Sequence, residues 1–378
     1  MVISTEPFES DRLHLKPGSE ETQSTDYSIV LSRDFASPLK GGDSLSQRLE
    51  SFRPSRIFIL TESNLKSYAE KLEASLDLSV PVQIIYFQGG ETSKHLDQLG
   101  PVFNAIIEGG VDRKSLLIAL GGGVVGDFAG FVAATILRGI PFIQIPTTLL
   151  AMVDSSVGGK VAVNTGRGKN MVGAFYHPRL VWCNLSTLDT LPDAEWSCGL
   201  AEMAKHAMLE SSGKLRQALV DSADSIRSPE TLAPRIIESM AVKAYVVARD
   251  EKEAGLRACL NLGHTTAHGI ESLTDYGRFS HGQAVSRGLV TAMLLSRDRG
   301  YASEIVEANL RMMEMLKLPM DTAGLEAKDL WNHMKYDKKN VDGEIRFVLF
   351  GRDGLELSVP VEFEQFEKAW KEQKASRG

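Results

Sequence analysis

Apolar and polar positions alternate along the first half of the chain in a way that predicts strands joined by helices. Short apolar runs at RIFIL, VPVQIIYF, SLLIAL and IPFIQI each end at polar residues or glycine, which is typical of buried strands. Helical stretches lie after the first run, over Leu96 to Glu108, and after the glycines that follow SLLIAL. Strands that alternate with helices predict an α/β fold with a Rossmann-like, doubly wound parallel sheet.

The second half of the chain has a different pattern. After about Thr190 it carries long amphipathic runs, such as AEWSCGLAEMAKHAMLES and HGQAVSRGLVTAMLLSRDRGYAS, which predict helices. EIRFVLFGRDGLELSVPV alternates again and predicts a short hairpin before a last helix. We therefore expect an α/β domain over residues 1–185 and a mainly α-helical domain over 186–378, with the polar residues 1–28 as a loosely ordered arm or an edge segment.

Composition narrows the class of protein. The 378 residues are 43% hydrophobic and 24% charged, which excludes a disordered chain. A net charge of -7 argues against nucleic acid as a partner. The N-terminus lacks the cationic start of a signal peptide, and no apolar run reaches the roughly 18 residues of a membrane span, so we expect no membrane contact. Cys183, Cys198 and Cys259 show no CxxC spacing and predict reduced thiols in a cytoplasmic protein.

A glycine-rich turn at GGGVVGD, residues 121–127, fits GxGxxG between a predicted strand and a predicted helix. Such a turn lets backbone N–H groups and a helix N-terminus approach a pyrophosphate. The alternative is a tight strand-to-helix turn without a ligand. The acid that usually binds the ribose is missing after the next strand, which ends in Pro146-Thr147-Thr148. Asp127, or an acid at an earlier strand end such as Glu62 or Glu91, is expected to replace it.

Histidines cluster in the second half. His264, His268 and His281 are three of only eight histidines and lie within 18 residues, which indicates a metal site rather than separate core histidines. His264 and His268 are four residues apart and would share a helical face. Spacing alone therefore nominates these two as a ligand pair, with an acid from elsewhere completing the set.

Basic residues recur inside apolar or glycine-rich stretches of this acidic protein. A substrate that carries both phosphate and carboxylate explains them better than a solvated surface does. Asp154 is an acid in an apolar run and needs a partner, for which Lys160 is a candidate. The basic residues in question are Arg138, Lys160, Lys169, Lys205, Lys243, Arg257, Lys338 and Lys339.

Several ordered blocks together carry a family resemblance. GGGVVGDFAGFVAAT, RGIPFIQIPTTLLAMVDSSVGGKVAVN, GLAEMAKHA, RDEKEAGLRACLNLGHTTAHGIE and HGQAV resemble the 3-dehydroquinate synthases of the sugar phosphate cyclases, from about Arg56 to Gly351. The resemblance implies an NAD-binding N-terminal domain, a C-terminal domain carrying zinc or cobalt, an active site in the cleft between them, and a homodimer. It also implies a shikimate-pathway reaction on 3-deoxy-D-arabino-heptulosonate 7-phosphate, by transient oxidation at C5, β-elimination of phosphate, re-reduction and intramolecular aldol closure.

The resemblance also assigns roles to positions. The metal ligands become Glu202, His264 and His281, and His268 becomes a phosphate or proton contact instead of the ligand that spacing nominates. Arg257 and Asn261 would hold the carboxylate, Lys160 and Asn170 the phosphate region, and Arg138 would reach the phosphate from a neighbouring subunit. Lys205, Lys243 and either Lys338 or Lys339 would add cations.

The cofactor positions follow in the same way. Glu62, Glu91 and Lys94 match the adenosine end. The remaining matches are Gly121, Gly122, Gly123, Val124, Asp127, Thr147, Thr148, Asp154, Lys160, Lys169, Thr187, Leu188, Asp189 and Thr190.

The chain departs from the family pattern at a few positions. Glu62 replaces an aspartate, Gly89 replaces the first residue of DGExxK, Gln283 replaces the acid of HGEAV, and GHTFGH is GHTTAH. These departures predict altered adenosine binding and a weaker orientation of His281. The alternative functions are a sister cyclase that makes a deoxyinosose or a valiolone, a polyol dehydrogenase that releases NADH, and a non-catalytic NAD-binding homologue.

Overall fold

The computed structural model describes residues 12–15, 26–335 and 344–377. Two compact units divide between Leu191 and Pro192. The boundary expected at 185/186 falls at the start of a 3₁₀ helix, Leu185–Thr190, which lies inside the first unit. We call the first the sheet unit and the second the helical unit.

The sheet unit is built on a seven-stranded sheet with the order β1-β2-β9-β6-β5-β3-β4. β1 is antiparallel to β2, and the other neighbours in the sheet are parallel. Its strands are β1 Arg12–Leu15, β2 Tyr27–Ser32, β3 Ile57–Glu62, β4 Val82–Phe87, β5 Leu116–Gly121, β6 Phe142–Pro146, β7 Lys160–Thr165, β8 Gly168–Phe175 and β9 Leu180–Asn184, and its helices are α1 Leu45–Ser51, α2 Lys66–Ser75, α3 Leu99–Glu108 and α4 Gly123–Thr135.

The helices cover both faces of the sheet because the strands are apolar on both sides. Phe58 and Leu60 of β3 belong to one buried cluster, together with residues of α3 and α4. Their neighbours Ile57 and Ile59 belong to a second cluster, together with residues of α1 and α2. Successive strand residues point to opposite faces, so continuous apolar runs such as IFIL are what a sheet with two buried faces requires.

The direction of winding reverses between β3 and β5. β3 leads through α2 to β4 on one side, whereas β5 leads through α4 to β6 on the other side, and these two helices lie on opposite faces of the sheet. Open α/β sheets bind ligands at such a switch point, beyond the carboxyl ends of the strands. Glu62 ends β3 and Gly121 ends β5, so both lie at this edge.

A hairpin of β7 and β8 extends the sheet unit, and the sequence patterns did not predict it, nor β2 or β9. Val161 and Val163 pack into the core beside α4, whereas β8 is largely exposed. The two strands pair antiparallel, with a register shift between Val163 and Thr165, where Asn164 lies opposite extra residues of β8.

The helical unit packs around α9, whose residues are nearly all buried. The predicted terminal hairpin and last helix are present, and the predicted fold class is confirmed. The helices are α5 Asp193–Leu209, α6 Lys214–Ser222, α7 Pro229–Arg249, α8 His264–Leu273, α9 His281–Asp298, α10 Ser303–Met315, α11 Ala327–Met334 and α12 Phe363–Arg377, and the strands are β10 Arg346–Gly351 and β11 Gly354–Pro360.

Two of the exclusions drawn from composition can be compared with the structure. Across residues 12–15, 26–335 and 344–377, no helix has the length and apolar character to cross a bilayer. Cys183, Cys198 and Cys259 are all buried free thiols. Burial raises the pKa of Cys259 to about 12, so this thiol stays protonated and unreactive near neutral pH.

Candidate active site

The glycine turn places backbone at the N-terminus of α4. Gly122 is extended and precedes the helix, which begins at Gly123. A Cβ built on Gly122 would lie 3.3 Å from Thr148 Cγ2, and one built on Gly123 would lie 3.0 Å from Ser155 Oγ. Side chains at these positions would therefore crowd the turn. The first N–H groups of α4, which have no partner within the helix, remain accessible to a pyrophosphate.

A partly buried network beside the turn contains four of the expected ligand contacts. Lys94 is 4% exposed, and its ammonium group contacts the Asp127 carboxylate and lies 2.7 Å from Asn170 Oδ1. Asn164 Nδ2 donates to Glu91 Oε1 over 2.8 Å. The structure thus brings Glu91, Lys94, Asp127 and Asn170 together through Asn164, which the sequence patterns did not single out.

A groove of about 590 Å³ lies at the carboxyl ends of β3 and β4 and includes Glu62 and residues 86–90 in its lining. Gly90 N donates to Glu62 Oε1 over 3.3 Å. A Cβ built on Gly89 would lie 2.6 Å from Glu62 Oε2. The two departures at 62 and 89 are therefore neighbours, and the longer glutamate fits because position 89 has no side chain.

Asp154 lies on a π-helical turn, Ala151–Ser155, a form often found at functional sites. The chain then reaches Lys160 through Gly158 and Gly159, which both have a positive φ. Gly158 N donates to the Tyr27 hydroxyl over 3.2 Å, which fixes this approach. Asp154 is half-buried and Lys160 is exposed. Their pairing stays a prediction.

The remaining cofactor candidates of the sheet unit lie on neighbouring segments. Thr147 is buried directly after β6, and Thr148 Oγ1 accepts a hydrogen bond from Ala151 N over 3.1 Å. Thr187, Leu188, Asp189 and Thr190 lie on the 3₁₀ helix Leu185–Thr190, in which Asp189 and Thr190 are exposed. Lys169 is exposed on β8.

The helical unit brings Glu202, His264 and His281 into one group. Glu202 lies within α5, and the histidines are the first residues of α8 and α9. Glu202 Oε1 is 3.6 Å from His264 Nε2 and 3.7 Å from His281 Nε2. One ligand atom from each side chain lies within 4.8 Å of the others. Two imidazoles and a carboxylate are the ligands of many catalytic zinc sites.

Hydrogen bonds fix the tautomer of both imidazoles. His264 Nδ1 lies 3.1 Å from the Leu262 carbonyl oxygen, and His281 Nδ1 lies 3.3 Å from Glu271 Oε1. Both partners can only accept, so the proton is on Nδ1 and each Nε2 is directed at Glu202. This arrangement is the one that metal-binding histidines usually have, and the residues therefore fit a divalent metal.

His268 stands beside this group. Its ring centroid is 5.8 Å from that of His264, with the rings nearly perpendicular. Among the described residues, the groups with metal-binding geometry do not include His268. Its placement is compatible with a proton or phosphate contact, and that role stays a prediction.

Charges around the group act in opposite directions on the two histidines. Burial and the Lys205 ammonium lower the pKa of His264 well below its usual value, so this imidazole is neutral and ready to bind a metal. Burial also lowers the pKa of His281, but hydrogen bonds to Glu202 and Glu271 outweigh it and raise the pKa to about 10. The two carboxylates thus attract positive charge, and metal binding would displace the His281 proton.

Three of the expected substrate cations are buried in the helical unit. Lys205, Lys243 and Arg257 are 2%, 7% and 3% exposed. Lys205 contacts the Glu202 carboxylate. Arg257 N donates to Asp250 Oδ2 over 2.8 Å, and Asn261 Nδ2 donates to Glu253 Oε1 over 3.2 Å. Contact of these three cations with an anionic substrate stays a prediction.

Arg138 and the lysine pair complete the expected cations. Arg138 is exposed after α4, in a turn where Leu137 and Arg138 have φ of 49° and 68°. Lys338 and Lys339 lie outside the described residues.

Comparison with known proteins decides the family. The family model for the 3-dehydroquinate synthase N-terminal domain matches residues 84–198 of the sequence. The family model for the C-terminal domain matches residues 199–340. A 3-dehydroquinate synthase of Leptospira interrogans serovar copenhageni is 50% identical over 322 residues, which are 84% of this chain and 89% of the relative. The chain belongs to the 3-dehydroquinate synthase family.

Solved structures with the same fold extend beyond the 3-dehydroquinate synthase family. A 2-deoxy-scyllo-inosose synthase complexed with carbaglucose-6-phosphate, NAD+ and Co2+ has a TM-score of 0.80 at 24% identity and covers 96% of this chain and 99% of its own. A 2-epi-5-epi-valiolone synthase from Streptomyces hygroscopicus subsp. jinggangensis 5008, with NAD+ and Zn2+ bound, also has a TM-score of 0.80 at 24% identity and covers 96% and 100%. At this identity the likeness shows the fold.

The departure from the 3-dehydroquinate synthase pattern at Gln283 has a local explanation. Ser280 and Gln283 form a capping box at the start of α9, in which Ser280 N donates to Gln283 Oε1 over 3.1 Å. Glutamine serves in a capping box as glutamate does. The imidazole of His281 is held instead by Glu271, one helical turn beyond His268. The spacing of Glu271 from the histidines was visible in the sequence, but its contact with His281 was not.

Proposed function

We propose that this chain is a 3-dehydroquinate synthase, which converts 3-deoxy-D-arabino-heptulosonate 7-phosphate to 3-dehydroquinate and phosphate in the shikimate pathway. The observation that carries the proposal is the group of Glu202, His264 and His281, in which Nδ1 of each histidine lies against an acceptor and Nε2 faces Glu202. The relative that is 50% identical and bears the same name supports the substrate. A cytoplasmic location stays a prediction.

The proposal includes NAD in the sheet unit and zinc or cobalt in the helical unit. NAD supplies a reversible hydride acceptor, and the metal supplies a Lewis acid for the C5 oxygen. The glycine turn would bind the pyrophosphate at the start of α4. Glu62 and Glu91 would accept hydrogen bonds from ribose hydroxyls, and Lys94 would hold Asp127 and Asn170 in place.

The buried cations would bind the two anionic ends of the substrate. Arg257 with Asn261 suits the carboxylate, because a guanidinium can bind both oxygens of a planar anion. Lys160 and Asn170 would serve the phosphate region. Lys205 and Lys243 would balance negative charge that develops as the C–H beside C5 loses its proton and phosphate departs. His268 would move a proton or contact the phosphate.

A homodimer is part of the proposal, with Arg138 reaching the phosphate of the neighbouring subunit. Two observations support it. Leu137 and Arg138 both have a left-handed backbone, which non-glycine residues adopt at a cost and mostly at functional sites. Leu137, Met171 and Phe175 are large apolar side chains exposed at 40%, 47% and 44%, and a dimer interface would cover them.

One assay tests the activity. The protein is supplied with the heptulosonate phosphate, trace NAD and zinc or cobalt, and inorganic phosphate and dehydroquinate are followed. We expect both products with catalytic NAD. Absence of phosphate release, or stoichiometric accumulation of NADH, would reject the proposal, and the second outcome would indicate a dehydrogenase. Turnover of a sugar phosphate that lacks the carboxylate would indicate a sister cyclase.

The dimer has a test of its own. Arg138→Ala and His264→Ala should each be inactive alone, but a mixture of the two variants should regain about a quarter of the activity, because half of the dimers are mixed and each mixed dimer has one complete site. No recovery after mixing, or a monomer in light scattering, would overturn the arrangement.

A further inference from the structure

Asn164, at the irregular part of the β7–β8 hairpin, joins segments that are far apart in the chain. Asn164 lies in β7 and is 8% exposed. Its backbone N–H donates to the Lys94 carbonyl over 2.7 Å, and its Nδ2 donates to Glu91 Oε1 over 2.8 Å and to the Glu91 carbonyl over 3.1 Å. Its Oδ1 accepts from Asn170 N over 2.8 Å. One amide side chain therefore holds a segment before α3 and a residue of β8.

The bond to Asn170 lies at the irregular part of the β7–β8 hairpin. Asn170 has φ of 54°, and the register of the hairpin shifts between Val163 and Thr165. A bulge re-aims the side chains around it. With its N–H held by Asn164, Asn170 directs its own side chain at Lys94 Nζ, 2.7 Å away. Lys94, Asn164 and Asn170 thus form a closed ring of hydrogen bonds, to which Glu91 is joined through Asn164.

We infer that Asn164 is a positioning residue that fixes the cofactor segment 91–94 and the phosphate residue Asn170 relative to each other. The inference rests on the proposed function, which gives an NAD contact to Glu91 and a phosphate contact to Asn170. The two halves of the amide serve the two ligands separately. Nδ2 holds the carboxylate of Glu91, and Oδ1 holds the backbone of Asn170.

The separation of these halves makes the inference testable with two variants. Asn164→Ala removes both contacts, and we expect the Kd for NAD and the KM for the substrate each to rise about tenfold, the effect of losing a buried hydrogen bond. Asn164→Asp keeps an acceptor for Asn170 N but puts a carboxylate against Glu91. We expect its Kd for NAD to rise about tenfold, while KM at saturating NAD stays within about threefold.

Ser115→Ala is the matched control. Ser115 is 0% exposed and directly precedes β5, at the amino end of that strand, whereas the glycine turn lies at its carboxyl end. Its Oγ accepts from Asp112 N over 2.9 Å, so this substitution also removes a buried polar contact. We expect a lower melting temperature with unchanged Kd and KM.

The outcomes distinguish a failure of the inference from a failure of the proposed function. If Asn164→Ala only lowers the melting temperature, as Ser115→Ala does, and keeps the wild-type Kd and KM, Asn164 is structural and the inference is overturned. If the alanine variant does not fold, an unchanged Kd for NAD in Asn164→Asp overturns it equally. NAD is titrated by protein fluorescence without substrate, so an inactive wild type would reject the proposed function by a different measurement.

Discussion

The helical unit would bind its metal and the sheet unit its cofactor through different kinds of contact. The metal group consists of the side chains of Glu202, His264 and His281, and each imidazole is held by one identified acceptor. The cofactor edge consists of a glycine turn, a helix start and a ring of hydrogen bonds in which each member has several partners. Loss of one side chain should therefore abolish function in the helical unit but weaken binding by degrees in the sheet unit.

The largest effect is expected from His264→Ala. It removes a metal ligand, so the variant should lose bound metal, and kcat/KM should fall at least about 10³-fold because a Lewis acid contributes several kcal/mol. Metal content is measured by mass spectrometry after dialysis. His268→Ala is the matched comparison and should keep the metal while losing turnover. Equal metal loss in both variants would restore the ligand pair that spacing nominated.

Glu271→Ala tests whether metal binding depends on the acceptor that holds Nδ1 of His281. The variant leaves His281 Nδ1 without its carboxylate partner, so we expect metal affinity to fall about 10–100-fold. Competition with a chelator measures this affinity. Glu271→Gln keeps an acceptor oxygen and should lose less. If the alanine variant binds metal like the wild type, Glu271 does not orient His281.

Gly89→Ala tests whether one substitution among the residues proposed to bind NAD weakens NAD binding without abolishing it. A Cβ at this position would lie 2.6 Å from Glu62 Oε2, so the carboxylate must move, and the Kd for NAD should rise about three- to tenfold, as for one weakened hydrogen bond. Gly100→Ala is the control, because a Cβ there has no neighbour within 4 Å. Adding Glu62→Asp to Gly89→Ala should recover part of the affinity. An additive loss in the double variant would show that the two positions are independent.

The smallest effect concerns a contact of the helical unit away from the metal group. Arg297 donates to both oxygens of Glu372 over 2.7 Å and lowers the pKa of that carboxyl. Because the folded-state pKa is lowered, the stabilisation is present above the unfolded value of about 4.5 and is lost as the pH falls through the folded value. Glu372→Gln should cost less than about 1 kcal/mol at pH 7, since solvent screens the pair.

Thermal unfolding of this variant at pH 7 and in acid, with metal content alongside, provides the check. The difference from the wild type should vanish in acid, and bound metal should not change. Loss of metal would show that the group at the start of α9 depends on the far end of that helix, which the comparison does not predict.

The sequence patterns predicted the parts of the fold that carry continuous apolar runs. β3, β5 and β6 are buried on both faces, β4 at the edge of the sheet is partly buried, and all four are visible as such runs. β8 is not visible because its side chains are mostly exposed and its sequence, GKNMVGAF, is polar and glycine-rich. Strand formation there depends on pairing with β7, which is a tertiary contact.

The candidate site, too, could be predicted only in part from the sequence. Clustering nominated the histidines, but spacing along one helix favoured His268, because it cannot show that His281 begins a different helix beside α8. Glu202 is 62 positions before His264, and only the family resemblance connected them. Asn164 and Glu271 act through partners that folding brings near, and no local pattern identifies such residues.

The division of the chain at Leu191 also bears on how such enzymes diverge. Each residue proposed to contact NAD lies before this point, and each proposed metal ligand lies after it. Two synthases share this fold at 24% identity to this chain, and both structures contain NAD+ and a divalent metal. Evolution can thus change residues of one unit while the proposed binding residues of the other unit stay as they are.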